Sequence, residues 1–401
     1  MINNPSHDAR VTPPWEGQGG GFHFLSAFRR ELQRMTSRRI YLGAAVVLPL
    51  FLLLFMTTIF GTGQMVRLPV GVVDADNTAT SRSIVRNIAA VPTLDVVAHY
   101  TDDNEARAAV KRKEVYGYLS IPPRFEEMMM RGTDATLNYY YHYALLAVGG
   151  EVMSAFETAL VPVRMAPIVD EAVALGSTEQ NIETFLLPMT SDDHALYNPS
   201  LDYAVYLAVP IFYIMFQILV LLVTLYAVGS ERKSSSPLSF SFLFWLGKLL
   251  PYTLIFIAEA LLASVVFFRW EHIPFAGNMW LFALITVFFV VATQSVAVIL
   301  YALFPVLSLV ISVVSMVGSL GATLSGLTFP LSAMSPVVQW VAKLFPVRHF
   351  TEAMQCVVYF CGGFSTCWPQ LAVLCLFPLV MLLLLPRLQR IFLTHPYDTL
   401  E

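Results

Sequence analysis

An acidic side chain inside an apolar run is the first place to look for chemistry in a chain of 401 residues that is 56% hydrophobic. Glu259 is the one acid in the run from Phe242 to Phe268. Holding a carboxylate in hydrocarbon costs about 3 kcal/mol, so such a group marks a proton or substrate site by default. A structural reading stands beside it: the carboxyl pairs with a polar group on a neighbouring helix, for which Gln217 and Gln294 are candidates. Cys356, Cys361 and Cys367 cluster, with Cys375 further on. An oxidising compartment would permit a Cys361–Cys367 disulfide and leave one cysteine of the cluster unpaired. Asp192, Asp193 and His194 offer oxygen and nitrogen donors, yet neighbours along a chain rarely converge on one ion and no fourth ligand is implied. They read as a solvated loop, and His142 in YYYHY reads as a strand side chain.

Motifs for nucleotide or bond hydrolysis are missing. GATLSGLT, from Gly321 to Thr328, has the glycine spacing of a phosphate loop but carries Leu327 where the lysine belongs, and it lies in an apolar stretch. HExxH and GxSxG do not occur. No catalytic residue, metal or bound cofactor is therefore expected on this chain.

The elements that must position these groups are membrane helices. Only 13% of residues are charged, against about 25% in soluble domains, and the mean hydropathy is +0.64. A hydrocarbon core needs about 20 helical residues, and Tyr41 to Phe60 supplies an uncharged run of that kind. It begins too far into the chain, and is too long, for a cleaved signal peptide, so it reads as a retained anchor. Further runs at Tyr203–Val228, Phe242–Phe268, Met279–Phe304, Val306–Phe329 and Leu371–Leu385 make six spans. The last is short and would rely on Trp368 at one interface and on Arg387 and Arg390 snorkelling at the other.

Basic residues set the orientation. Arg29, Arg30, Arg34, Arg38 and Arg39 precede the first span, Arg232 and Lys233 follow the second, and Arg387 and Arg390 follow the last. The fold class is therefore a polytopic α-helical membrane protein with both termini inside and an inserted extracytoplasmic α/β domain at 61–202. Between Arg67 and Asp193 that insert carries 18 Asp or Glu and 10 Lys or Arg. Residues 1–21, rich in Pro and Gly, read as disordered. Residues 22–40 read as an amphipathic helix at the cytoplasmic surface, with Phe24, Phe28, Leu32 and Met35 on one face. Residues 41–60 are span one, 203–393 hold spans two to six with an outer loop at 330–370, and 394–401 form a cytoplasmic tail.

Within the insert, LPVGVVD, LDVVAHY, VYGYLSI and TLNYYYHY read as strands. Helical stretches at 77–91, 104–113 and 124–131 separate them, and a longer one runs over 144–174. In the outer loop, Ser335 and Pro336 start a helix whose Val337, Trp340, Val341 and Leu344 share a face, which suits shallow insertion into the outer leaflet. In span five, Ser308, Ser312, Ser315, Ser319, Ala322 and Gly326 form a seam of small residues. It serves either ordinary packing within the subunit or contact with a partner across a transport path.

RRELQRM, LPVGVVDADNTATSRSIVRNI, EARAAVKRKEVYGYLSIPPRFEEMMMRG, YNPSLDYAVYLAVP, GKLLPY and LSGLTFPLSAMSPVVQWVAKLFPVRHF occur in that order over most of residues 25–390. In this the chain resembles the type-two ATP-binding-cassette exporter permeases, the bacterial members with a large outer domain between spans one and two. The resemblance implies a half-exporter in the bacterial inner membrane, surrounded by lipid and paired with a second, identical or different permease. A separate cytoplasmic ATPase would consume ATP and Mg, and a periplasmic adaptor is a further candidate partner. No nucleic acid is expected. The implied substrate path runs past Tyr206, Tyr213, Gln217, Ser312, Ser315 and Ser319. The implied ATPase-coupling residues are Arg30, Glu31, Glu231 and Arg232. Glu231 matches the family's acidic residue, but the second acid and Gly-Thr pair expected soon afterwards are replaced by ERKSSSPLSF. The rival is an ion-gradient transporter using Glu259; related halves, common in such proteins, are not visible here.

Overall fold

A computed structural model describes residues 20–61, 63–131, 133, 135–174, 198, 202–233 and 242–394. Asp192, Asp193 and His194, the N-terminal 1–19 and the tail beyond 394 lie outside the described residues. The chain divides into two compact units, Met1–Gly61 with Asp202–Glu401, and Thr62–Leu201.

The first unit is helical. It comprises α1 (Gly20–Ser37) and α2 (Arg39–Phe60), then, after the second unit, α7 (Ala204–Gly229), α8 (Phe242–Trp270), α9 (Met279–Leu303) and α10 (Leu307–Leu324). Short helices α11 (Pro336–Ala342) and α12 (Pro346–Val358) precede the long α13 (Phe364–Thr394). π-helical turns at Gly43–Val47 and Ala204–Ala208 lie just before Pro49 and Pro210. Proline has no N–H to donate and crowds the carbonyl four residues back, and a wider turn relieves both. Close packing of α10 on α7 depends on absent side chains: a Cβ at Gly318 would sit 2.6 Å from Ile218 Cγ1, and one at Gly321 would sit 2.8 Å from Gln217 Nε2.

In the second unit β1 (Leu68–Asp74), β2 (Leu94–Tyr100), β3 (Gly117–Ile121) and β4 (Asn138–Tyr141) form one sheet in the order β2-β1-β3-β4. β1 is parallel to β2 and β3, and β4 runs antiparallel to β3. The crossovers are α3 (Ala79–Ala89) and α4 (Asp103–Lys111), and α5 (Phe125–Met130) precedes β4. Thr78 and Ser81 form a reciprocal capping box that starts α3. Alternate residues of the strands separate two cores. Val70 and Leu119 pack with Ile84 and Ile88 of α3 and with α6 (Leu146–Ala174), whereas Val73 and Tyr118 pack with Ala106 of α4.

Among the described residues, seven helices are long and apolar enough to cross a membrane, one more than the six spans expected from the sequence; the addition is Leu146–Ala166 of α6. Its Val152, Ala155, Phe156, Ala159 and Leu160, spaced as one helical stripe, are buried against the sheet. A second difference concerns the last span. It is not short: α13 continues through Pro369, Pro378 and Pro386, and its apolar stretch covers Phe364–Phe392. The sequence reading stopped at residues that the helix absorbs.

Candidate functional site: a buried charge cluster

Five ionisable side chains from three places in the sequence meet in the first unit. α1 supplies Arg30, Glu31 and Arg34; the 3-10 turn Ser230–Lys233 that ends α7 supplies Glu231; and α8 supplies Lys248. The helices can approach because α8 has no side chain where α1 crosses. A Cβ at Gly247 would fall 2.5 Å from the Phe24 carbonyl oxygen.

The stripe of α1 that faces inward differs from the expected one. Ala27, Glu31 and Met35 are buried, one helical turn apart, while Leu32 is exposed. A carboxylate thus sits where the hydrophobic pattern favours leucine, because Lys248 lies opposite. Lys248 Nζ donates to Glu31 Oε1 at 2.5 Å and to Glu231 Oε1 at 2.9 Å, and all three side chains are essentially without solvent access. Arg34 donates to Glu31 at 2.6 Å, to Glu231 at 3.0 Å and to Ser230 Oγ at 3.2 Å. Arg30 donates to Glu231 at 2.9 Å and stacks over the Phe244 ring at 5.4 Å. Tyr252 donates to the other oxygen of Glu31 at 3.1 Å.

Among the described residues, three cations against two carboxylates leave one surplus positive charge. It sits towards the partly exposed arginines, whose side chains retain 28% and 18% of their accessible area. Burial alone would push the Glu231 carboxyl up, but Lys248, Arg30 and Arg34 more than offset it and hold the group below the usual carboxylate range. Burial alone would lower the Arg34 value, and Glu31 and Glu231 hold it raised. Such a cluster resists separation: withdrawing one helix would leave an uncompensated charge in a low-dielectric site, at about 3–5 kcal/mol. It is a joint that ties α1, the end of α7 and the start of α8 together through ion pairs.

Of the expected coupling residues, Arg30, Glu31 and Glu231 are brought together here, and the side chain of Arg232 lies outside the described residues. Arg34, read only as a topology charge, and Lys248, quoted only within GKLLPY, are the members the sequence reading missed. A lone lysine in an apolar run was the available signal, since it demands an anion from elsewhere.

The path candidates divide. Ser312, Ser315 and Ser319 lie on the exposed face of α10, their hydroxyls turned back to carbonyls of Ser308, Ile311 and Met316. Tyr206 is half-exposed and donates to the Leu327 carbonyl at 2.6 Å. Tyr213 and Gln217 instead face inward: Tyr213 donates to the Ala260 carbonyl at 2.9 Å and packs on Phe350, and Gln217 abuts Gly321. The buried seam of α10 is Val310, Val314, Gly318 and Gly321, so the serines are not its packing surface within the chain.

Glu259 is 7% exposed, and among the described residues neither carboxyl oxygen has a hydrogen-bond partner. Gln294 does not supply one: its Oε1 accepts from Thr253 at 2.7 Å, and its Nε2 donates to none of the described residues. The Cys361–Cys367 pairing is also not formed, and all four cysteines are free. Cys361 is exposed and directs its thiol to the Ala276 carbonyl, 3.2 Å away, whereas Cys367 is buried beside Ala353.

A family model described as ABC-2 family transporter protein matches residues 39–385. No curated protein matches the chain.

Proposed function

The chain belongs to the ABC-2 transporter family, and on that premise we propose that it is the membrane half of an ATP-driven exporter whose power stroke enters through the buried charge cluster. Family membership makes it a transport component of the ABC permease type and a multi-pass membrane protein. In the proposed assembly it carries α2, α7, α8, α9, α10 and α13 as six spans, with both termini in the cytoplasm of a bacterial cell and the 61–202 unit on the far side of the inner membrane. The extra apolar helix, α6, is assigned to that outer unit because its hydrophobic stripe is already used by the sheet. The flanking arginines support the orientation.

A separate ATPase, binding ATP and Mg, docks on α1 and on the turn after α7. A second permease chain faces the serines of α10, with Tyr206, Ser312, Ser315 and Ser319 along the path. Tyr213 and Gln217 then act behind that wall. A periplasmic adaptor has the outer unit as its docking surface. The single observation that carries the reading is the joint itself: a shove on α1 reaches two spans through Lys248 without stretching a hinge.

Co-purification tests this. The full-length chain should bring down a cytoplasmic ATPase whose turnover responds to substrate. Uphill transport by the purified chain alone in vesicles would overturn the proposal. The unpartnered Glu259 favours a second reading, gradient-driven transport. Replacement by Gln (Glu259→Gln) should spare ATP-driven export; loss of a proton-coupled activity in that variant would favour the rival.

A further inference from the structure

Cys356 and Cys367 lie on either side of the tight turn that joins α12 to α13. The Cys356 side chain points into the turn: a Cβ at Gly362 would overlap its Sγ at 2.2 Å, and Gly362 N donates to the Cys356 carbonyl at 2.8 Å. Cys367 approaches the same space from α13, its Sγ lying 4.0 Å from the carbonyl of Ala353, the residue one turn before Cys356. Cys361, at the tip of the turn with a positive φ of 53°, is directed away to Ala276. Proximity within the turn thus selects a pair different from the one that sequence spacing suggests.

We propose that Cys356 and Cys367 form a reversible dithiol–disulfide pair that clamps the end of α12 to the first turn of α13, with Cys361 remaining a free thiol. In the oxidised state one S–S bond replaces two S–H bonds. The two protons and two electrons pass to an external disulfide, such as that of an oxidoreductase or oxidised glutathione, which is reduced to thiols. Formation in cells rests on the proposed extracytoplasmic position of this turn, where oxidising conditions let disulfides persist. The bond would add a covalent tie to a segment already packed through Met354, Val357 and Leu371 and through the close approach at Gly277, where a Cβ would fall 2.1 Å from the Val357 carbonyl oxygen.

The test is made on the full-length chain. Intact cells are treated with a membrane-impermeant maleimide, and the protein is then isolated without reductant, alkylated in denaturant and mapped by peptide mass spectrometry. The expected result is Cys361 labelled from outside and a Cys356–Cys367 linked peptide that disappears on reduction. Cys361→Ser should leave the link intact, and Cys356→Ser should free Cys367. Finding Cys361 labelled from outside but Cys356 and Cys367 alkylated as thiols, even after oxidised glutathione is added to the folded protein in detergent, would overturn the pair. If Cys361 is labelled only in inverted vesicles, the exporter topology falls instead. The glutathione arm then decides the pair by itself: a linked peptide upholds it and its absence overturns it.

Discussion

Replacing Lys248 by Met removes the group on which both carboxylates of the cluster converge. Methionine fills much of the same volume, so the change is chiefly one of charge and hydrogen bonding. Two charge-assisted hydrogen bonds are lost, each worth about 1.5–3 kcal/mol. Part of that is returned because a lysine no longer has to be desolvated. Glu31 keeps Arg34 and Tyr252, and Glu231 keeps Arg30 and Arg34. The expected cost is therefore about 3 kcal/mol, or roughly a hundredfold in the equilibrium between docked and undocked α1. The assay is cross-linking between cysteines introduced on α1 and α8, followed against denaturant in detergent. Adding Glu31→Gln to Lys248→Met removes the second partner of one of the lost ion pairs, so the double variant should be less destabilised than the two single costs together, with a coupling of about 1–3 kcal/mol. In the assembled transporter, Lys248→Met should retain ATP hydrolysis but lose its response to substrate. A single variant within about 0.5 kcal/mol of the parent, together with strictly additive behaviour, would refute the idea that Lys248 holds the joint.

Gly247→Val should drive α1 off α8 at least as strongly, because the obstructing atom is the Phe24 backbone carbonyl and cannot rotate aside; release of the same cross-link is the measure. Phe156→Ala, in the buried stripe of α6, should cost about 3–5 kcal/mol in the second unit only, read as loss of amide-exchange protection in β1 and β3 with α9 unaffected. Docking of α1 should also depend on pH. The Glu231 carboxyl is held below its ordinary value of 4.5, so its contribution is fully present above about 4.5 and is lost as pH falls through the lower, folded-state value. Undocking on acidification below that point in the parent, but not in Glu231→Gln, is the expected titration.

The sheet was legible because its signals are local. LPVGVVD and LDVVAHY match β1 and β2 residue for residue, and the Thr78 cap fixes the start of the helix between them. Chain entry into the bilayer was likewise readable from uninterrupted apolar length. The joint was not, because its members are separated by up to 217 positions and each alone has a bland explanation: Arg34 as a topology charge, Lys248 as an interruption, Glu31 as a surface acid. The sequence marks such a site only by its expense, one cation and one anion each in the wrong place. The extra apolar helix shows the converse. A hydrophobic stripe records that a face is buried, but not whether lipid or a β-sheet buries it.

The central position of β1 bears on the order of folding. Its neighbours β2 and β3 follow within about fifty residues, at Leu68↔Leu94 and Val70↔Gly117, and β4 closes on β3 at Gly117↔Tyr141. All these pairings are short in sequence, which favours rapid folding. The ribosome thus delivers all four strands before α7, α8, α9, α10 or α13 has been translated. A defect in a later helix, Lys248→Met included, should reach quality control attached to an already native α/β module.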